Sequence, residues 1–167
     1  MRPVATSVAI ILMITLALSP FAMGQDIEAL AKGLEHPNAA IRGMAGFKLA
    51  QAGPKAVTAV PALTKALADL DLNVRYMSAN ALRAIGPGAK ASVSSLIQLL
   101  DTFPGGTPAL TGPFRYYADA RSIAAEALGA IGPDAMEAVP ALKKTLNDTD
   151  LNVRNAAATA LWRITGK

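Results

Sequence analysis

The sequence predicts an all-α fold, an α-solenoid of four stacked helix-pair repeats that winds into a right-handed superhelix. Three observations predict it: a pattern that returns at intervals of about 33 residues, two stretches of helical periodicity within each copy, and a Gly-Pro step that closes three of the copies. One helix pair cannot bury its apolar face alone, so neighbouring pairs are expected to stack around a continuous core.

The repeats are recognised from two nearly superimposable copies, AVPALTKALADLDLNVRYMSANALRAIG at 59–86 and AVPALKKTLNDTDLNVRNAAATALWRIT at 138–165. A third copy lies between them and carries an insertion, which we place at 101–117, and a more degenerate fourth copy comes first. These copies divide residues 25–167 into repeats at about 26–56, 57–89, 90–135 and 136–167.

The first 24 residues have the pattern of a secretory signal peptide. One positive charge, Arg2, precedes the apolar run 8–18, and the small residues Ala22 and Gly24 fit a cut ahead of Gln25. We therefore expect an exported protein, periplasmic or secreted, that has no membrane span after cleavage. The alternative is an uncleaved membrane anchor, because the segment is almost long enough to cross a bilayer.

Local signals mark where the helices of each repeat begin and end. Asn38, Asp71 and Asp150 precede the second helix of their repeats, where a side-chain oxygen can accept hydrogen bonds from free backbone amides. Gly-Pro steps predict where three of the second helices end. Leucines that recur at fixed columns predict the core ladders: Leu30, Leu63, Leu96 and Leu142 in the first helices, and Leu49, Leu82, Leu128 and Leu161 in the second helices.

The repeated unit, AVPAL-x3-L-x-D-x-D-x2-VR-x3-A-x-AL-x2-IG, resembles the HEAT-like repeat of the phycobilisome-lyase type. The resemblance covers nearly all of residues 25–167, because the Val-Arg step, the small-residue helix and the terminal Gly-Pro recur together in register. It implies a scaffold for interactions with other macromolecules, since most proteins with such repeats act in this way, whereas a minority handle tetrapyrrole chromophores or bind nucleic acid. The fold does not choose among these functions.

Catalytic, metal and cofactor sites find little support in the sequence. His36 is the only histidine and cysteine is absent, so neither a nucleophile with its base nor a histidine or cysteine metal site can be assembled. The acidic residues have no calcium-loop spacing, and Gly105-Gly106 lacks the lysine of a phosphate-binding loop. We therefore predict a protein that is not an enzyme and that uses no metal or cofactor.

The basic residues give no strong sign of nucleic-acid binding, because the net charge is only +4 and the charges of both signs are interspersed. Four arginines share one column of the repeat: Arg42, Arg75, Arg121 and Arg154. The column could bind anions, but Arg75 and Arg154 each stand four residues after an aspartate. We expect these arginines to pair with the helix caps or with a neighbouring repeat.

The candidate partner-binding surface comes from columns of the second helices that vary between copies while the core columns repeat. Tyr76, Asn80 and Arg83 stand at i, i+4 and i+7 and share one helix face, which should line the concave side of the stack. Aromatic and arginine side chains are frequent anchors of protein interfaces. One alternative is a solvated face on which the aromatic residues occur by chance. Another, for Trp162 alone, is a side chain that covers the exposed end of the last repeat. The predicted contact residues are Phe47, Tyr76, Asn80, Arg83, Glu126, Asn155, Trp162 and Arg163.

The insertion, DTFPGGTPALTGPFRYY, is rich in proline and glycine and is expected to form a loop. It contains Phe103, Phe114, Arg115 and Tyr116, side chains that are typical of binding loops on rigid scaffolds. We predict that these four residues contact the partner. Alternatively, the aromatic side chains fold back and cover the core where the third repeat is interrupted.

Together these features predict a non-catalytic scaffold or adaptor that holds a protein or peptide partner on its concave helix face and insertion loop. One alternative is a lyase-like protein that handles a tetrapyrrole, as the family resemblance implies. Another is a fragment or structural module that self-associates through its C-terminal repeat, where Leu161, Trp162 and Ile164 lie close together in the sequence.

Overall fold

A computed structural model describes residues 26–101 and 120–167, and within these residues the chain forms helices and turns without a β-strand. The predicted signal segment lies outside the described residues, as does the insertion except for Asp101, which ends a helix. In the described part of the chain no helix is both long and apolar enough to cross a bilayer. The α-helices are α1 (Ile27–Gly33), α2 (Ala39–Ala52), α3 (Val60–Ala66), α4 (Leu72–Ile85), α5 (Val93–Asp101), α6 (Ala120–Ile131), α7 (Val139–Thr145) and α8 (Leu151–Thr165).

The helices form four successive pairs, α1–α2, α3–α4, α5–α6 and α7–α8, which stack in chain order. The second helices of successive pairs pack extensively against one another, whereas the first helices barely touch. Since the layer whose helices lie closer together must be on the inner side of a curved stack, α2, α4, α6 and α8 form the concave layer. This arrangement confirms the predicted all-α solenoid.

Glycines allow the helices of the concave layer to approach one another closely. A Cβ atom on Gly46 of α2 would lie 3.0 Å from the Cβ atom of Met77 on α4. One on Gly129 of α6 would lie 2.9 Å from the Cα atom of Ala160 on α8. Contacts this short leave no room for a side chain, so the helix spacing depends on glycine at these two positions.

Capping contacts confirm where the second helices begin. Asp71 Oδ1 accepts hydrogen bonds from the amides of Asn73 (2.9 Å) and Val74 (3.1 Å). Asn38 Oδ1 accepts one from the amide of Ala40 at 2.8 Å. These side chains satisfy amides that have no partner within their own helix, as the sequence predicts.

A 3-10 helix connects each second helix to the next pair, a feature that the helical periodicity did not predict. Each connection begins at a glycine with positive φ, such as Gly53 (φ 57°) and Gly86 (φ 70°), a conformation that is strained for a residue with a Cβ atom. A proline follows the glycine and starts the 3-10 helix. The connections span Gly53–Ala59, Gly86–Ser92 and Gly132–Ala138.

The leucine ladders form the core in the middle of the stack and become more exposed at its two ends. Leu30 and Leu161 are only half-buried, which corrects the prediction that all eight leucines are core residues. Within the described residues, each of these two belongs to a pair that has a neighbouring pair on one side only. The ladder residues without solvent exposure are Leu49, Leu63, Leu82, Leu96, Leu128 and Leu142.

Candidate partner-binding groove

The arginine column links neighbouring repeats. Arg42 of α2 donates from Nε and Nη2 to the carboxylate of Asp69, in the turn between α3 and α4, at 2.7 Å each. Arg121 of α6 forms the equivalent ion pair with Asp148, in the turn between α7 and α8. Pairing with a neighbouring repeat is therefore confirmed for these two. Pairing with a helix cap is wrong for Arg154, whose Nη1 donates to two backbone carbonyls.

The contact between Arg42 and Asp69 serves the structure of the stack. Both side chains are mostly buried, with 16% and 13% of their surfaces exposed. The Asp69 carboxylate also accepts a hydrogen bond from the amide of Asp71 at 2.9 Å. Hydrogen bonding from Arg42 lowers the pKa of Asp69, and partial burial opposes this shift. Since each charge is already paired, this contact is not the binding site.

A groove lies in the concave layer between α6 and α8, with a residue of α4 at its edge, and encloses about 480 Å³. Its floor consists of four small, buried residues: Ser122 and Gly129 of α6, and Ala156 and Ala160 of α8. The close approach of the two helices at Gly129 brings backbone to the base of the groove. The floor therefore offers a ligand a shallow surface without large side chains.

One wall of the groove carries an ordered set of polar groups. Arg83 of α4 donates from Nη2 to Oδ1 of Asn80 at 2.8 Å. Its Nε lies 3.6 Å from a carboxylate oxygen of Glu126 on α6. Both charged side chains are almost half exposed, so they are held in place and still reach solvent.

The opposite wall carries polar groups that are free to bind. Asn152, Asn155 and Arg163 of α8 are exposed and line the groove. Within residues 26–101 and 120–167, the side chains of these three residues have no hydrogen-bond or ion-pair partner. In the same ranges no three histidine or acidic side chains converge as in a metal site. The groove can therefore supply amide and guanidinium groups to a ligand.

The groove brings together only some of the predicted contact residues. Phe47 and Trp162 are 41% and 64% exposed in the concave layer but do not line the groove. Tyr76 is half-buried and packs against the core, which corrects its expected place on an exposed face. The predicted residues that line the groove are Arg83, Glu126, Asn155 and Arg163, and Asn80 adjoins them through Arg83. Phe103, Phe114, Arg115 and Tyr116 lie outside the described residues.

Variation between copies proved an imperfect sign of exposure. Gly43 and Ser122 occupy the same column of the repeat as Tyr76, which was expected to face solvent, yet both are buried. At Gly43 the neighbouring helix is the reason, since a Cβ atom there would lie 2.6 Å from the side-chain nitrogen of Asn73 on α4. Conversely, Asn152 lines the groove although it was not among the predicted contact residues. Its exposed position in the first turn of α8 is the signal that could have found it.

Comparison with known proteins agrees with the repeat architecture. Residues 27–106 and 115–167 match the model of a family described as HEAT repeats. No curated protein matches the chain.

Several solved structures share the fold. The complex of CpcE and CpcF of phycocyanin lyase from Nostoc sp. PCC7120 is 30% identical over 84% of this chain, with a TM-score of 0.67. Two engineered proteins are 24% and 25% identical over 84% and 83% of this chain, with TM-scores of 0.63 and 0.60. This chain spans 53% of the lyase chain, and 62% and 37% of the engineered chains.

Proposed function

We propose, from the premise that this chain belongs to the HEAT repeat family, that it is a non-catalytic scaffold that binds an extended segment of a partner protein in the groove between α6 and α8. The observation that carries the proposal is the set of unpaired side chains of Asn152, Asn155 and Arg163 above a floor of small residues. Concave surfaces of stacked repeats are common binding surfaces for other proteins.

The chemistry of the groove favours an extended polypeptide. An asparagine side chain offers both a hydrogen-bond donor and an acceptor, which match the N–H and C=O groups of a peptide unit. In an extended segment these backbone groups are not paired within the chain, and the floor at Gly129, Ala156 and Ala160 lets backbone approach closely. The asparagines of α8 would therefore bind the main chain of the partner.

The charges favour an acidic side chain in the bound segment. Arg163 has no acidic partner among the described residues, whereas Arg83 lies 3.6 Å from Glu126. A guanidinium binds a carboxylate through two parallel hydrogen bonds. We therefore expect an aspartate or glutamate of the partner to contact Arg163. Phe47 and Trp162, exposed beyond the groove, would add apolar contacts to a longer segment.

Selection from a display library of random peptides tests this function with the chain of residues 25–167 as the target. We expect the selected peptides to be rich in acidic residues, and their affinity to fall about tenfold or more for Arg163→Gln and for Asn155→Ala. Lys143→Gln, which removes an exposed positive charge from α7, is the matched control and should bind as the wild type does. Equal binding by all four proteins would place the binding site elsewhere.

A second candidate function rests on the similarity to the phycocyanin lyase complex. Under this alternative the chain handles a linear tetrapyrrole, whose propionate carboxylates could pair with Arg83 and Arg163. Titration with biliverdin, followed by its absorbance, separates the two functions. The scaffold function predicts no saturable spectral change, whereas a change that is lost in Arg163→Gln would favour chromophore handling.

We also propose that the protein is exported to the periplasm or secreted, on the basis of the signal-peptide pattern in residues 1–24. N-terminal sequencing of the protein from fractionated cells tests this proposal. A periplasmic or extracellular protein that begins at Gln25 is expected, and a membrane-bound protein that retains Arg2 would contradict it.

A further inference from the structure

The last described repeat has an arginine, Arg154, in the column in which Arg42 and Arg121 bind the next repeat. Backbone carbonyls of its own turn hold Arg154 as they hold Arg42. Arg154 Nη1 donates to the backbone carbonyls of the residues six and five positions before it, at 2.7 and 2.9 Å. Arg42 Nη1 makes the same two bonds, at 2.9 and 3.0 Å. The two guanidinium groups are therefore oriented alike on α2 and α8.

The other edge of the guanidinium distinguishes the two arginines. In Arg42, Nε and Nη2 bind the carboxylate of Asp69 in the next repeat. In Arg154, the corresponding two nitrogens have no acceptor within residues 26–101 and 120–167. Two parallel N–H groups in a planar fork match a carboxylate. Arg154 is thus oriented for a carboxylate at the place where the turn of a further helix pair would lie.

The surface around Arg154 has the composition of a repeat interface. Ala158 is exposed, whereas its counterparts Ala79 and Ala125 are fully buried between repeats. Leu161 is half-buried although its counterparts in the ladder have no exposure. Trp162 is 64% exposed beside them. We call this surface the terminal face and define it by Arg154, Ala158, Leu161 and Trp162. It combines small and apolar residues with a guanidinium that is already held in one orientation.

We propose that the terminal face docks a helix pair of another protein, and that the turn between the two helices of that pair presents an aspartate or glutamate to Arg154. The internal interface between α2 and the α3–α4 pair supplies the template, since Arg42 and Asp69 make this contact within the chain. Charge complementarity and the exposed apolar residues then act together.

The first helix pair of a second copy of this chain does not present an acidic residue at the position that would face Arg154. The first repeat has His36 in the column of Asp69 and Asp148. His36 Nδ1 accepts a hydrogen bond from the amide of Asn38 at 3.0 Å, as the Asp69 carboxylate does from an amide two residues later. The first repeat therefore has the same turn but offers an imidazole where Arg154 requires a carboxylate.

Replacing His36 by aspartate provides the test, because it gives the first repeat the carboxylate that Arg154 requires. Two proteins are made as residues 25–167. The donor, which presents the carboxylate, carries His36→Asp together with Arg154→Gln, and the second change prevents it from binding itself. The receiver, which presents Arg154, is the wild-type chain. We expect sedimentation velocity to give a monomer for each protein alone and a one-to-one complex for the mixture. A donor with His36→Glu instead of His36→Asp provides a second variant, and far-UV circular dichroism checks that each folds.

The receiver variants decide whether Arg154 makes the contact. Arg154→Gln in the receiver should weaken the complex about tenfold or more, because a charge-assisted bidentate contact is lost. Arg163→Gln removes the same charge from α8, but its side chain lies toward the preceding repeat at Gly129, so it should leave binding unchanged. Absence of a complex with both folded donors, or a complex insensitive to Arg154→Gln, would overturn the proposal.

Self-association of the wild type through Arg154 would also overturn it, because the occupant would then be a second copy. These outcomes are distinguishable from a failure of peptide binding in the groove, since the groove variant Asn155→Ala should leave the contact with the donor unchanged.

Discussion

Arg42 binds the carboxylate of Asp69 through two hydrogen bonds of 2.7 Å, although the two residues are 27 positions apart in the chain. The contact joins the second helix of one pair to the turn of the next pair. In a stack of repeats the stability depends on the interfaces between neighbours as well as on each unit. Removal of one partner therefore affects the interface directly, because it leaves a mostly buried charge without its counter-charge.

Asp69→Ala should lower the free energy of unfolding by about 1–3 kcal/mol, since the Arg42 guanidinium loses its carboxylate acceptor and the turn loses a hydrogen bond. Urea denaturation followed by circular dichroism measures the change. Lys65→Ala is the control, because the Lys65–Glu35 pair is 75% and 62% exposed and is screened by solvent. A similar loss in both variants would contradict a special role for the buried pair.

The stability contributed by Asp69 should depend on pH. Because the hydrogen bond from Arg42 lowers the pKa of Asp69 in the folded chain, this contribution is complete above the pKa of an unfolded aspartate. It is lost as the pH falls from about 4 through the lower pKa of the folded state. The difference in unfolding free energy between the wild type and Asp69→Asn should thus be constant from neutral pH to about pH 5. A difference that does not shrink in more acidic solution would show that protonation of Asp69 is not the cause.

Two glycine substitutions should differ in their effect on stability. In Gly129→Ala the new Cβ atom would lie 2.9 Å from the backbone Cα of Ala160, which cannot move without separating α6 from α8. We expect an overpacking cost of about 1–3 kcal/mol, more than the gain of about 1 kcal/mol in helix propensity. In Gly43→Ala the close atom is the Asn73 side-chain amide, which can rotate away, so this variant should unfold at the same or a higher urea concentration. Loss of stability in Gly43→Ala would indicate that Asn73 is fixed.

The leucine ladder should contribute unequally along the stack. Leu128→Ala should lower the free energy of unfolding by about 2–5 kcal/mol, because Leu128 has no solvent exposure and its removal leaves a cavity. Leu161→Ala should cost clearly less, since Leu161 is half-buried and solvent can fill the vacated space. Thermal and urea denaturation of the two variants give the comparison. Equal losses would mean that the end of the stack is as closely packed as its middle.

Much of the fold could be predicted because the residues that determine it either act on their immediate neighbours in the sequence or recur at the same position in each copy. The cap at Asp71 and the stop at Gly86 each act within a few residues. The buried leucines recur at the same position in each copy, so one pattern predicts several core residues at once. The exposure of Leu161 could not be read from this pattern, because burial depends on whether a neighbouring pair lies on both sides.

The contacts between repeats and the lining of the groove were harder to predict, because both depend on how the repeats stack. The partner of Arg42 is Asp69, and no spacing along one helix indicates this pair. Arg83 and Glu126 were predicted from their variable columns and do line the groove. Gly43 lies in the same column as Tyr76 but is buried, because it faces the Asn73 side chain on the neighbouring helix.

The joints between repeats have a consequence for the span of the whole molecule. Gly53 and Gly86 adopt nearly the same backbone angles, with φ of 57° and 70° and the same ψ of −134°. Because the backbone angles are similar, each connection rotates one helix pair relative to the next by a similar amount. A change of a few degrees in φ or ψ at either glycine would therefore move the far end of the stack much further than the residues next to that glycine. The distance between Phe47 and Trp162 therefore depends on backbone torsions at glycines that lie outside the proposed groove. A substitution at one of these glycines is expected to change this distance while both side chains stay intact.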